Sequence, residues 1–350
     1  MDKKKRLNSL QVIRALSAIM IVGHHVSLYM NDASLPILNK IFFNGWVGVD
    51  VFLVLSGFIL YYTSYKKIGQ KDQCKEFLLK RLSRIYPVYW IVLSAVLIVW
   101  PSYFGTRFMM KDIIKSYLLV PQTKLLILGV TWFLSYIVFF YLIFAILIYF
   151  NKKISYSLIT VWFIGVLLNS IGVIHSTSFY INFIFSNHFI EIIVGCLIAV
   201  SFIRKPIKKP ILSLLIGSII FILTFYQIIN GSILRSSTES KFLFSLAVGL
   251  IILGCASHEV THNLDFPKSV LAIGDASYAI FLTHFNILTF TNLLNKRLGF
   301  HSIVEFLYHT IILIVLGIVF YYTVEKSVIN YINILRTHPK YEVVSDKLKA

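Results

Sequence analysis

Residues 127–150 read ILGVTWFLSYIVFFYLIFAILIYF, 24 positions without a single Asp, Glu, Lys or Arg. As an α-helix this stretch would measure about 36 Å at 1.5 Å per residue, enough to cross the ~30 Å hydrocarbon core of a bilayer. It stops abruptly at Asn151-Lys152-Lys153. The same alternation of apolar run and short charged segment recurs through the chain. It predicts spans at about 10–30, 41–63, 86–104, 127–150, 154–175, 179–203, 210–230, 241–257, 269–294 and 302–328. Composition agrees: of 350 residues 57% are hydrophobic and only 14% charged, with a mean hydropathy of +0.79. A soluble domain carries about 25% charged residues. The expected fold is therefore all-α, a polytopic transmembrane bundle of about ten helices, since unpaired backbone is not tolerated in lipid.

The net charge of +18 does not point to nucleic acid. The basic residues sit in clusters between apolar runs, where membrane topology and anionic lipid account for them. With the N-terminus inside, 23 of the 33 Lys and Arg fall in cytoplasmic segments and 9 in outer ones, Lys241 among the latter, while Arg14 lies within a span. This asymmetry predicts cytoplasmic N- and C-termini. The apolar start is read as an uncleaved first span, because Arg14 and His24-His25 interrupt it and no small-x-small cleavage site follows closely. Residues 1–335 read as one transmembrane domain and 336–350 as a cytoplasmic tail. The longest outer connection, 105–126, carries Arg107, Lys111 and Lys115 and is expected at the membrane interface. Cys74, Cys196 and Cys255 have no metal-site spacing, and no metal is expected.

Ionisable groups inside spans are costly and mark candidate sites. Arg14 and His25 are eleven residues apart, which at about 100° per residue puts them on one face, about 16 Å apart along the helix. A cation near the inner surface and a base deeper in suit a long substrate with an anionic head and a reactive tail, the shape of coenzyme A. A snorkelling Arg14 and a His25 satisfied by a backbone carbonyl remain the plain alternative. His24 faces elsewhere and reads as a structural hydrogen-bonder. Asp50, the lone carboxylate of GWVGVDVFLVLSGFIL (45–60), overlaps His25 in expected depth and is assigned to orient it; a simple interhelical bond is the alternative. Ser56 is a weaker nucleophile candidate. Arg81 and Arg84, i and i+3, suit phosphate recognition, although flanking positive charge alone also explains them. Trp132, Glu191, His284, Asp275 and Glu325 complete the polar set; Glu191 and His284 are expected in an internal polar network, Asp275 and Glu325 at span ends.

At these residues the chain resembles the acyltransferase-3 family of membrane O-acyltransferases, over about residues 8–328. LQVIRALSAIMIVGHH (10–25) resembles the family opening with its Arg and His. GWVGVDVFLVLSGFIL matches a second motif, and FLLKRLSRIYPVYW (77–90) the Arg-x-x-Arg-x-Tyr-Pro motif, carried onto Arg81 and Arg84. IGDASYAIFLTHFNIL (273–288) resembles the late motif that places Ser277, Tyr278 and His284. YYTVEKSV (321–328) resembles the closing Glu-Lys-Pro, with Ser327 in place of Pro. Two departures stand out: Gln11 occupies a position where Asp is common, and Ile137 and Val138 stand where a Glu pair is common.

The resemblance implies transfer of an acyl group, usually acetyl from cytoplasmic acetyl-CoA, to a hydroxyl of a cell-surface or lipid-linked glycan, in a bacterial cell membrane and beside glycan-biosynthesis machinery. The expectation is that Arg14, Arg81 and Arg84 hold the coenzyme A phosphates, that His25 is the general base or a transient acyl carrier, and that Asp50 orients it. Acyl-CoA, a glycan acceptor and membrane lipids are the expected partners. A glycan or lipid-intermediate transporter is the second reading, disfavoured by the lack of repeat halves. A binding-only sensor is the third.

Overall fold

A computed structural model describes residues 6–30, 36–105, 107–124, 126–174, 176–262, 264–298 and 302–337. Lys3, Lys4, Lys5 and the tail from 338 onward, with Lys340, Lys347 and Lys349, lie outside the described residues, as do the side chains of Lys296 and Arg297. The helices are α1 (Asn8–Met30), α2 (Pro36–Phe43), α3 (Val47–Ser64), α4 (Gln73–Phe104), α5 (Met110–Tyr117), α6 (Trp132–Tyr149), α7 (Lys152–Ser170) and α8 (Phe179–Ile184). After these come α9 (His188–Arg204), α10 (Pro210–Ile229), α11 (Thr238–Thr261), α12 (Lys268–Asp275), α13 (Ser277–Leu298), α14 (Ser302–Phe320) and α15 (Lys326–Thr337). The described residues contain no strand.

Among the described residues, nine helical stretches are long and apolar enough to cross a membrane, and α12 with α13 makes a tenth, bent by 70°. The ten match the ten apolar runs of the sequence. The departure is the bend: the run over 269–294 is not a straight rod but two helices meeting at Ala276, with Ser277 at the start of the second.

Apolar side chains that would condemn a soluble protein lie on the outside. Ile219, Ile222, Leu223 and Tyr226 of α10 and Ile311, Val315 and Val319 of α14 are all exposed. In lipid this is no penalty, and helix association rests instead on close packing. The α3–α9 pair shows how close: a Cβ on Gly57 would collide with the Ile192 carbonyl oxygen, and one on Gly195 with that of Val54.

Polar contacts fix the ends. Glu259 of α11, itself buried, accepts hydrogen bonds from the backbone N–H groups of Asn8 (2.7 Å) and Ser9 (2.8 Å). It thereby caps α1 from a neighbouring helix, satisfying donors that a helix start leaves open. Beside it, Arg6 pairs with Asp275 at 2.5 Å.

The connection over 105–126 runs back along α4 rather than lying flat beyond it. Tyr86 Oη donates to the Leu118 carbonyl (2.9 Å), Tyr89 Oη to that of Ser116 (2.7 Å) and Trp90 Nε1 to that of Tyr117 (2.9 Å). Tyr86 stands eighteen residues, about 27 Å of helix, before Phe104. The donors on α4 supply partners to the Tyr117 and Leu118 carbonyls and a further one to that of Ser116, which also accepts from the Leu119 N–H, so the charged stretch can dock there.

Candidate active site

Three arginines from two helices reach one cavity. It has a volume of about 220 Å3 and is lined by Arg14 of α1, Arg81 and Arg84 of α4, Ser56 of α3 and Ser277 and Tyr278 of α13, among others. Arg14 Nη1 donates to Gln11 Oε1 at 3.3 Å. Arg81 Nη2 donates to Thr63 Oγ1 (2.5 Å) and Ser64 Oγ (3.1 Å), and its guanidinium lies 5.8 Å from the Phe77 ring centroid and 5.9 Å from that of Tyr141. Arg84 is exposed. Tyr278 is held by its hydroxyl on the Ile85 carbonyl at 2.9 Å.

The chief negative charge facing these cations is Glu325. It is buried at the end of a π-helical turn, Tyr321–Glu325, and acts electrostatically on both Arg84 and Arg14. Asp275 is taken up by Arg6. Three guanidiniums against one buried carboxylate leave a net positive cavity, suited to phosphate. The departures from the family pattern keep it so: Gln11, neutral where Asp is common, is the residue bonded to Arg14, and Ile137, apolar where Glu is common, lines the wall.

The far wall of the cavity is aromatic. Phe133 and Phe281 both line it and meet edge to face with centroids 4.4 Å apart. One helical turn past Phe281 lies His284, fully buried, with Nδ1 2.7 Å from the Phe281 carbonyl oxygen and 3.1 Å from that of Ile280. Its Nε2 is 3.2 Å from Nδ1 of His25, which also lies 3.0 Å from the Ile21 carbonyl oxygen. His24 bonds through Nδ1 to the Phe43 carbonyl at 2.7 Å.

Asp50 does not meet His25. A Cβ on Gly48 would strike the Ser17 carbonyl and one on Gly45 that of Met20, so α3 and α1 run antiparallel with these residues level. By that register Asp50 is level with Ala15, ten residues or about 15 Å below His25. The expected overlap in depth fails because the second helical stretch begins at Ile37, before the boundary of 41 read from the sequence, which leaves more chain on the outer side of Asp50 and sets it further inward.

Asp50 instead forms an ion pair with Lys241 of α11, whose Nζ also lies 3.2 Å from Glu191 Oε1 of α9. His188 Nδ1 is 3.2 Å from the other oxygen of Glu191, and its ring packs on Trp132 (5.1 Å) and Tyr136 (4.9 Å). Asp50, Glu191 and Lys241 are almost wholly buried. Ligand atoms of Asp50, His188 and Glu191 lie within 4.8 Å of one another, the spacing of a cation site, but the Lys241 ammonium already bridges the two carboxylates.

Of the residues singled out in the sequence, the structure brings Arg14, Arg81, Arg84, Ser56 and Tyr278 to one cavity, His25 and His284 to a second cluster, and Asp50, Glu191 and Trp132 to a third. Lys241 was missed. The positive-inside pattern places it among the outer flanking charges, whereas the structure makes it a core residue. Charge balance was the available signal: Asp50 and Glu191 both lie within spans, and buried carboxylates demand a cation.

Residues 7–325 match the profile of a family described as an acyltransferase domain, the acyltransferase-3 family. Exopolysaccharide production protein ExoZ of Rhizobium meliloti is 24% identical over 253 residues, 69% of this chain and 75% of that protein. Peptidoglycan O-acetyltransferase OatA of Listeria monocytogenes is 24% identical over 139 residues, 38% of this chain. The match spans only 20% of the length of that acetyltransferase. A putative acetyltransferase of Acidianus two-tailed virus is 31% identical over 83 residues, 24% of each chain. No solved structure matches.

Proposed function

The chain belongs to the acyltransferase-3 family, an acyltransferase moving groups other than amino-acyl groups and built as a multi-pass membrane protein, and on that premise we propose that it transfers an acyl group, most simply acetyl, from acyl-CoA to a hydroxyl of a cell-surface or lipid-linked glycan. The observation that carries the reading is the convergence of Arg14, Arg81 and Arg84 on one cavity whose aromatic end adjoins the His25–His284 pair. Phosphates of the carrier would sit among the guanidiniums, on the side where basic residues cluster, which we assign to the cytoplasm of a bacterial cell. The thioester arm would extend along α1 toward His25, about 16 Å away.

His25 takes the proton of the acceptor hydroxyl as its oxygen bonds to the thioester carbonyl carbon. The tetrahedral intermediate collapses, the carbon–sulfur bond breaks, and the departing sulfur receives that proton back from His25. The ester stays on the glycan and free coenzyme A leaves. Asp50 has no part in this step; it belongs to the Lys241 cluster. Names of two relatives, an O-acetyltransferase of peptidoglycan and an exopolysaccharide production protein, support a glycan acceptor and acetyl as the group.

The test is label transfer in membrane vesicles holding the protein, given acetyl-labelled acetyl-CoA and total glycan from the host. Label should enter glycan with the wild type and not with folded His25→Ala. Normal transfer by that variant would overturn the role of His25. Movement of glycan across the vesicle without any need for acyl-CoA would replace the enzyme reading with a transporter.

A further inference from the structure

We propose that His284 is the positioning residue of this site: it holds His25 in the tautomer that leaves Nε2 free to take the acceptor proton. The inference rests on the reading of His25 as the base.

The hydrogen-bond directions follow from what each atom can do. A carbonyl oxygen only accepts. His284 Nδ1 lies against two of them, at 2.7 Å and 3.1 Å, so it carries the hydrogen. A neutral imidazole has one N–H, so Nε2 of His284 is an acceptor. Its neighbour at 3.2 Å is Nδ1 of His25, which also faces the Ile21 carbonyl at 3.0 Å. Both partners of His25 Nδ1 are acceptors, so it is the protonated nitrogen and its hydrogen is shared between them. The lone pair of His25 is thereby left on Nε2, for which the described residues supply no hydrogen-bond partner.

The Ile21 carbonyl alone would favour the same tautomer, but it belongs to the helix of His25 and cannot fix the ring against the rest of the bundle. His284 comes from α13, and its ring is clamped by α13's own carbonyls in a fully buried setting. When His25 takes the proton, the Nδ1–H it turns toward His284 still finds a lone pair, so the cation formed in the transfer is stabilised without rearrangement. This is the task that a carboxylate performs in hydrolytic triads. Here a neutral imidazole performs it, and Asp50 is too far below to do so.

Three substitutions at 284 separate positioning from packing. Phe fills the space with no acceptor, Gln restores an acceptor oxygen, and Leu repeats the apolar control. We expect kcat for acetyl transfer to fall about 100-fold in His284→Phe and His284→Leu, within the range of a general-base contribution. In His284→Gln it should recover to within about tenfold of wild type, with KM for acetyl-CoA moving less than about threefold throughout. In parallel, 15N spectra of histidine-labelled protein, with the His25 signal identified by its loss in His25→Gln, should show Nδ1–H in wild type and a growing share of Nε2–H in His284→Phe. Folded His284→Phe with wild-type kcat, Gln no better than Phe, or an Nε2–H tautomer of His25 in wild type would each overturn the proposal. Failure of His25→Ala to lose activity would instead remove the base reading, while the 15N result would still decide the tautomer.

Discussion

Replacing Lys241 by Met removes the ammonium that bridges two buried carboxylates while keeping a similar unbranched side chain. Asp50, Glu191 and Lys241 are 1%, 0% and 3% exposed, so neither carboxylate can turn to water. One oxygen of Asp50 already lacks a partner among the described residues, and the ammonium bridging both acids is what compensates the rest. Breaking a buried pair by deleting one partner costs about 3–5 kcal/mol. The opposite change, Asp50→Asn, leaves one ammonium facing one carboxylate, Glu191, and keeps a side-chain oxygen for Lys241. It should cost less, about 1.5–3 kcal/mol, the net worth of a hydrogen bond to a charged group. The two acids outnumber the lysine, so stability should fall in the order wild type, Asp50→Asn, Lys241→Met. Thermal unfolding in detergent, followed by loss of the monodisperse peak, measures the order directly. Activity per folded molecule should be nearly wild type in Asp50→Asn, because that residue is level with Ala15 and not with His25. An Asp50→Asn protein as unstable as Lys241→Met, or one that folds normally but loses transfer by 100-fold or more, would refute the cluster's assignment as a structural clamp.

Further outcomes follow from the cavity and the packing. Arg81→Ala and Arg84→Ala should each raise KM for acyl-CoA about 10- to 100-fold with a smaller change in kcat, in line with about 1.5–3 kcal/mol for a hydrogen bond to a charged group; initial rates against acyl-CoA concentration check this. Ile137→Trp, which fills cavity space from its wall, should block acyl-CoA binding while the protein still elutes as a folded species. Gly57→Val should abolish accumulation of folded protein, because the Ile192 backbone cannot move aside for even the first carbon; its amount in membranes reports the effect. Glu259→Gln should lower the unfolding midpoint by an amount equivalent to about 1 kcal/mol, since the amide keeps only one of two acceptors for the α1 cap.

The chain's architecture was legible because lipid imposes a single rule, that backbone polar groups be satisfied within the segment, and a run such as 127–150 has only one way to obey it. The arginine cavity was legible in part for a related reason. Arg14 shares α1 with His25, and Arg81 shares α4 with Arg84, so their relative placement within each helix followed from periodicity alone. What joined α1 to α4 was not in the periodicity, and the family resemblance supplied it. Asp50 shows where such reasoning ends. Its depth was read from a span boundary, and a few residues of error along a helix shift a side chain by the length of a hydrogen-bond partner or more. The breaks at 44–46 between α2 and α3 and at Ala276 between α12 and α13 carry no proline and only one glycine, Gly45. The His25–His284 contact was likewise invisible in spacing, since 259 positions separate the two rings. A constraint of another kind does reach across that distance. Each buried polar group in these spans needs a partner of fitting charge and donor sense, and the set to be matched is small: Asp50 and Glu191 want a cation, and a carbonyl-bound His284 wants a donor. Solving that matching before assigning roles would have paired Asp50 with Lys241 and left His25 free to find another histidine.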